Sequence, residues 1–250
     1  MQRDSTVDFL KGIAILLVVI GHFNPVQQVG NFIYSFHMPL FFFLSGITFW
    51  YSFGKKLNRE NSKKIISEML MKRICSLCLP YGAWSVIRFF VCGDNIAEAL
   101  DKLWFLPTLF GIILILAAVE LVTFGVSSNG SEAKIFCIEI LSSAFLCFTV
   151  VLYYTARVYF QAGVNQRMAG IFEFLGKNTL KIYIIHYFFS PLFLYNIAVT
   201  FWDVVLKIIG SAVVSVFSVL IAYVLAQSNI IGFILFGERK NKNEITSYQR

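Results

Sequence analysis

FLKGIAILLVVIGH, residues 9–22, is the stretch whose reading decides the fold. Every residue between Lys11 and His22 is apolar or glycine. A surface helix of a soluble protein keeps a polar face for water, and this one has none. A span needs about 20 mostly apolar residues, and the run with its flanks reaches that length. Lys11 inside the run, and FNPVQQVG (23–30) after it instead of a small-residue cleavage site, argue against a removed signal peptide.

Outward from that run, the chain repeats the pattern. Of 250 residues, 58% are hydrophobic and 14% charged, and the mean hydropathy is +0.72, outside the range of soluble domains. Lipid supplies the apolar phase for such a chain, and each helix bonds its own backbone. The expected fold is all-α, a polytopic transmembrane helix bundle of about seven spans, within six to eight. They fall at 8–25, 31–53, 74–92, 104–126, 135–155, 179–201 and 205–227. IIGFILFG (230–237) is too short to cross alone and is expected to extend the last helix or lie at the interface. Residues 1–237 are read as one transmembrane domain and 238–250 as a polar tail.

The net charge of +7 does not point to nucleic acid, because of where it sits. Lys55, Lys56, Arg59, Lys63, Lys64, Lys72 and Arg73 crowd residues 54–73 between two apolar spans, which reads as a cytoplasmic loop. KKIISEMLMKRI (63–74) within it has the partly amphipathic pattern of a segment resting on anionic lipid. The five cysteines are odd in number and lie in or beside apolar runs, so no disulfide framework is expected. Nothing around Cys75-x-x-Cys78 reads as the βαβ unit of a redox motif.

An ionisable group inside a span is costly and is a candidate functional residue by default. All three histidines, His22, His37 and His186, fall in expected spans. Lys11 and His22, eleven residues apart, share a helix face to within about 20° but stand about 16 Å apart along the axis. Asp8, one turn before Lys11, is placed to pair with it. The face therefore offers a charged pair at one rim and a titratable base near the other end. The alternative for Asp8 and Lys11 is ordinary snorkelling at the interface. In FLGKNTL (174–180), Gly176 and Asn178 can end one helix, and Asn178 or Thr179 can cap the next.

RDSTVDFLKGIAILLVVIGH (3–22), FHMPLFFFLSG (36–46), KRICSLCLPY (72–81), LWFLPTLF (103–110) and FLGKNTLKIYIIH (174–186) stand in an order that resembles membrane acyltransferase family 3. The resemblance implies an integral-membrane O-acyltransferase that moves an acyl group, acetyl above all, from acyl-CoA to a hydroxyl of a cell-surface glycan or glycolipid. It places His22 as the general base and Lys11 where many members carry arginine; with Asp8, which can pair with Lys11, these are the candidate catalytic residues. His37, Arg73, Lys72, Trp104 and His186 become substrate-binding residues. Ser76 departs from the family's R-x-x-R pattern, which begins at Arg73. The implied setting is the inner membrane of a cell, crossed several times. Acetyl-CoA is a donor substrate there, not a resident cofactor. No metal site and no nucleic-acid partner are expected; membrane lipid is.

Charge and span counting agree on sidedness through the first half and conflict from residue 135 onward. Only 65 residues separate Pro107 from Phe172, too few for the spans the family carries there. A shortened middle accounts for the conflict. It leaves open a catalytically degenerate relative, and, from another class, a non-catalytic membrane subunit or a transporter.

Overall fold

The computed structural model describes residues 5–23, 25–52, 62–126, 166–193 and 200–238. Every element among them is helical: α1 (Ser5–His22), α2 (Gln27–Ser52), α3 (Ser62–Arg73), α4 (Leu79–Ile87), α5 (Ile96–Asp101), α6 (Phe105–Val126), α7 (Gln166–Lys177), α8 (Thr179–Ile185), α9 (Thr200–Leu225) and α10 (Asn229–Phe236). Two π-turns, Ile74–Cys78 and Arg88–Cys92, flank α4. Two 3-10 turns, His186–Phe188 and Ser190–Phe193, follow α8. The all-α expectation holds.

Among the described residues, four helical stretches are long and apolar enough to cross a membrane: Ser5–His22, Gln27–Phe49, Lys63–Cys92 and Phe201–Leu225; Phe105–Ala118 is a shorter apolar helix. The expected span 135–155 lies outside the described residues, as do Cys137, Cys147, residues 54–61 of the basic loop and the tail beyond Glu238. Two expected boundaries are corrected. The basic segment before residue 74 is not a loop up to Arg73, because α3 runs directly into the third span. Ile66 and Met69 bury on its inner side while Lys63, Lys64 and Lys72 stay exposed. The expected span from 179 is no continuous α-helix, since it tightens into 3-10 turns at His186. Pro191 lacks the N–H that would bond the carbonyl of Tyr187 and carry the α-ladder on. The short run at 230–237 extends no helix: the turn at 226–228 separates α10 from α9, and Ser228 caps α10 by accepting from Ile231 N–H.

The chain divides into two compact units. In the first are α1, α2, α7, α8 with its 3-10 turns, and α9 up to Leu220. Here α1 lies along α7 in its most extensive helix contact, with α2 against it as well. A Cβ on Gly12 would overlap the carbonyl oxygen of Phe172, and one on Gly176 the carbonyl oxygen of Asp8. Small residues at such crossings let backbones touch, and dispersion over the contact holds membrane helices together. The pairing 8 with 176 and 12 with 172 makes the two helices antiparallel, and Phe9 stacks edge-on against Phe172 at 5.2 Å. Gly176 thus serves a close approach and not a helix stop.

At the join of α7 and α8, Asn178 Nδ2 donates to Phe174 O at 2.9 Å and Thr179 Oγ1 to Gly176 O at 2.7 Å. These side chains satisfy the last carbonyls of α7, and Asn178 makes no side-chain cap for α8. Asn178 thus ends α7 as expected, while the expected side-chain cap on α8 is not made by it.

The second unit holds α3, α4, α5, α6 and α10. Pro80 has no N–H for the carbonyl of Ser76, and the helix widens into a π-turn just before it, with Leu79 N–H reaching back to Ile74 O. Trp84 Nε1 donates to Leu235 O at 2.8 Å and ties α10 to α4. Beyond the second π-turn, Gly93 takes φ +71°, and Asn95 with Glu98 forms a capping box for α5.

Candidate active site

α1 ends at His22, and that end is held from two sides. Tyr34 of α2 donates its hydroxyl to Gly21 O at 2.9 Å. Tyr187, in the 3-10 turn after α8, brings its hydroxyl to 3.0 Å from His22 Nε2, with the two rings 4.6 Å apart. His186 comes with it: its ring lies 5.2 Å from His22 and 4.4 Å from Tyr187. Tyr183, one turn back on α8, stacks 6.0 Å from both His186 and Tyr187. His37 joins through Tyr34, whose ring meets it edge-on at 5.4 Å. Residues far apart in sequence therefore converge as imidazoles and phenols at one end of the first unit.

The tautomers of two of these rings follow from their partners. His37 Nδ1 faces Ile33 O at 2.7 Å and His186 Nδ1 faces Ile182 O at 3.0 Å. A carbonyl oxygen only accepts, so Nδ1 carries the proton in each and Nε2 is the basic nitrogen. His186 is fully buried and His37 nearly so. His22 is half-buried, which leaves it the most accessible imidazole of the three. Hydrogen-bonded to a phenol in an apolar surround, such a ring can take a proton from an alcohol and return it.

The other expected residues of α1 lie toward its opposite end. Lys11 Nζ donates to Thr48 Oγ1 of α2 at 2.9 Å. Asp8 is buried where α1 crosses α7 at Gly176. Nearby, Ser5 Oγ donates to Glu173 Oε1 at 3.4 Å, and Lys177 Nζ meets the same oxygen at 2.6 Å. Arg73, Lys72 and Trp104 belong to the second unit. Arg73 closes α3 at the start of the first π-turn and is half-buried, Lys72 is exposed beside it, and Ser76 Oγ donates to Arg73 O at 3.5 Å. Trp104 is exposed in the turn between α5 and α6.

Sequence reasoning missed Tyr187, Tyr34 and Thr48. Tyr187 carried a signal, a phenol directly after a histidine in an apolar run; Tyr34 and Thr48 carried none, since their partners lie on another helix. Also missed was a charged pair on α9. Asp203 and Lys207, both essentially inaccessible, stand 3.1 Å apart, carboxylate to ammonium. Ser211, Ser215 and Ser218 continue that buried face, opposite an exposed apolar face at Ile209, Val213, Val216 and Leu220. Opposite charges four residues apart in an apolar run are readable as an intrahelical pair.

Comparison with known proteins reaches the α1 side of this arrangement. The acyltransferase domain family matches residues 4–119, just under half of the chain. Nodulation protein NolL of Sinorhizobium fredii (strain NBRC 101917 / NGR234) is 47% identical over 56 residues, which is 18% of this chain and 15% of that protein. No solved structure matches. The matched residues include Asp8, Lys11, His22, His37, Lys72, Arg73 and Trp104, whereas His186 and Tyr187 lie beyond them. Over residues 4–119 this membrane protein is similar to the acyltransferase domain family.

Proposed function

We propose that the chain is an integral-membrane O-acyltransferase that moves an acetyl group from acetyl-CoA to a hydroxyl of a cell-surface glycan or glycolipid, in a multi-pass protein of the inner membrane. His22 is the general base. It accepts the acceptor's hydroxyl proton as the oxygen attacks the thioester carbonyl. The C–S bond then breaks, and the departing thiolate takes that proton from the imidazolium, so the ring ends as it began. Tyr187 positions the ring and offers a hydroxyl beside the reacting oxygen.

The observation that carries this reading is the 3.0 Å contact between His22 Nε2 and the Tyr187 hydroxyl. The family match over α1 supports it. Lys11, about 16 Å along the helix from His22, suits the donor's phosphates, with the extended pantetheine arm covering the interval. His37 and His186, in the same unit as His22, are the residues for the acceptor's side.

His22→Ala decides the matter in membranes given labelled acetyl-CoA and envelope glycans. The expected loss is about 10²- to 10⁴-fold in transfer rate, the usual share of general acid–base catalysis. Tyr187→Phe removes only the hydroxyl and is expected to cost about tenfold. Unchanged transfer in His22→Ala sinks the assignment of the base.

A second reading, a transporter or non-catalytic membrane subunit, is favoured by the buried Asp203–Lys207 pair, since intramembrane charges also mark ion and substrate routes. It expects no acetyl transfer from the wild-type chain under the same conditions.

A further inference from the structure

α2 grips α1 at two points. Near the His22 end, Tyr34 donates to Gly21 O; near the other end, Thr48 receives Lys11. The two helices are therefore an antiparallel pair in fixed register. Thr48 is the point in that register that touches a charge.

We propose that Thr48 is a positioning residue for the donor site, acting through Lys11. This rests on the reading of Lys11 as a partner of the donor's phosphates. Thr48 Oγ1 lies 2.7 Å from Leu44 O, one turn back in its own helix. Since that carbonyl only accepts, the hydroxyl hydrogen is committed to it and the oxygen's lone pairs are turned toward Lys11. Lys11 Nζ donates to that oxygen at 2.9 Å. The relay Lys11 to Thr48 to Leu44 O gives the ammonium a defined seat.

A lysine needs such a seat more than an arginine does. Its charge is a point on a flexible four-carbon stem, without the planar fork that lets guanidinium orient itself on a phosphate. Near a membrane rim an unheld lysine head swings out to the interface. A carboxylate at position 48 would hold it equally well but would cancel its charge. The hydroxyl fixes the position of the ammonium and adds no charge of its own. The β-branched side chain of threonine is stiff in a helix, so the oxygen does not wander.

The test is a double-mutant cycle read by equilibrium binding of labelled acetyl-CoA to the full chain in detergent. Thr48→Val keeps the shape and deletes the hydroxyl. It is expected to weaken binding about tenfold, the scale of one hydrogen bond to a charged group. Thr48→Ser restores binding to within about twofold, because the oxygen returns. Lys11→Met weakens binding on its own, and adding Thr48→Val to it changes nothing further. Wild-type affinity in Thr48→Val overturns the proposal, and so does an undiminished Thr48→Val effect in the Lys11→Met background, which would mean that Thr48 does not act through Lys11. If the wild-type chain binds no acetyl-CoA, the donor reading of Lys11 fails and takes this role with it; the first two outcomes leave that reading standing.

Discussion

α1 and α9 both carry ionisable groups into apolar spans, and they satisfy them in different ways. On α1, Lys11 bonds to Thr48 of α2, and His22 to Tyr187 beyond α8, while the backbone itself touches α7 at Gly12. On α9, Asp203 meets Lys207 one turn along the same helix, Ser211 Oγ donates to Ile208 O and Ser215 Oγ to Ser211 O, both at 2.7 Å. A polar group bonded across helices makes its geometry depend on the whole bundle, which a reacting centre requires. A polar group bonded within its own helix admits charge to an apolar phase with each sign partly neutralised at its source. The difference separates the proposed site from a support, and it can be broken experimentally.

The largest effect is expected on α9. Changing Asp203 to Asn or Lys207 to Met alone removes one half of a buried ion pair, at a cost of about 3–5 kcal/mol in denaturant unfolding. The paired change Asp203→Leu with Lys207→Met removes both charges and recovers most of the loss. A support behaves this way; if the double variant folds but loses acetyl transfer, α9 is part of the site and the contrast with α1 fails.

A smaller effect is expected where α1 crosses α7. Gly12→Ala or Gly176→Ala forces backbone apart from backbone, about 1–3 kcal/mol by unfolding midpoint. Transfer activity is expected to fall with it, since the same crossing sets where α1 presents Lys11 and His22. Gly170, on the same α7, has open space around it, and Gly170→Ala is expected to be neutral or to gain up to about 1 kcal/mol from helix propensity. Equal responses at Gly170 and Gly176 would remove the close approach as an explanation.

The smallest effect lies outside the spans. Asp94 takes Lys102 Nζ at 2.8 Å on one oxygen and Arg88 Nη2 at 2.7 Å on the other. The hydrogen bond from Lys102, with help from Arg88, holds its carboxyl below the usual carboxylate range. A depressed value in the folded chain means stability that is present above the unfolded value of about 3.9 and lost as pH falls through the folded one. Asp94→Asn should lower stability at neutral pH, where the contribution is present, and converge on the wild-type chain in acid, which flattens the acid limb of the unfolding curve. An acid limb identical to that of the wild-type chain would show that the cluster contributes nothing.

How much was readable beforehand differs residue by residue. α1, α2 and α9 announce themselves because an unbroken apolar run of span length has few other uses. His22, His37 and His186 stand out because imidazoles are rare in such runs, and the motif order attaches a chemistry to them. Asp203 and Lys207 were equally visible and were passed over at the edge of a span. The 3-10 turn at His186 was not legible, although Pro191 hinted at a break, and it is that turn which swings Tyr187 onto His22.

Hydropathy and residue type, each a local property of the chain, determine that this is an all-helical membrane protein and which side chains can exchange protons. Which hydroxyl meets which imidazole, that Lys11 rests on Thr48, and that Gly12 and Gly176 are contact points are decided by tertiary structure. These are encounters between residues as many as 168 positions apart, Asp8 and Gly176, and helical register, set by the packing of one backbone on another, has no signature in either strand of sequence taken alone.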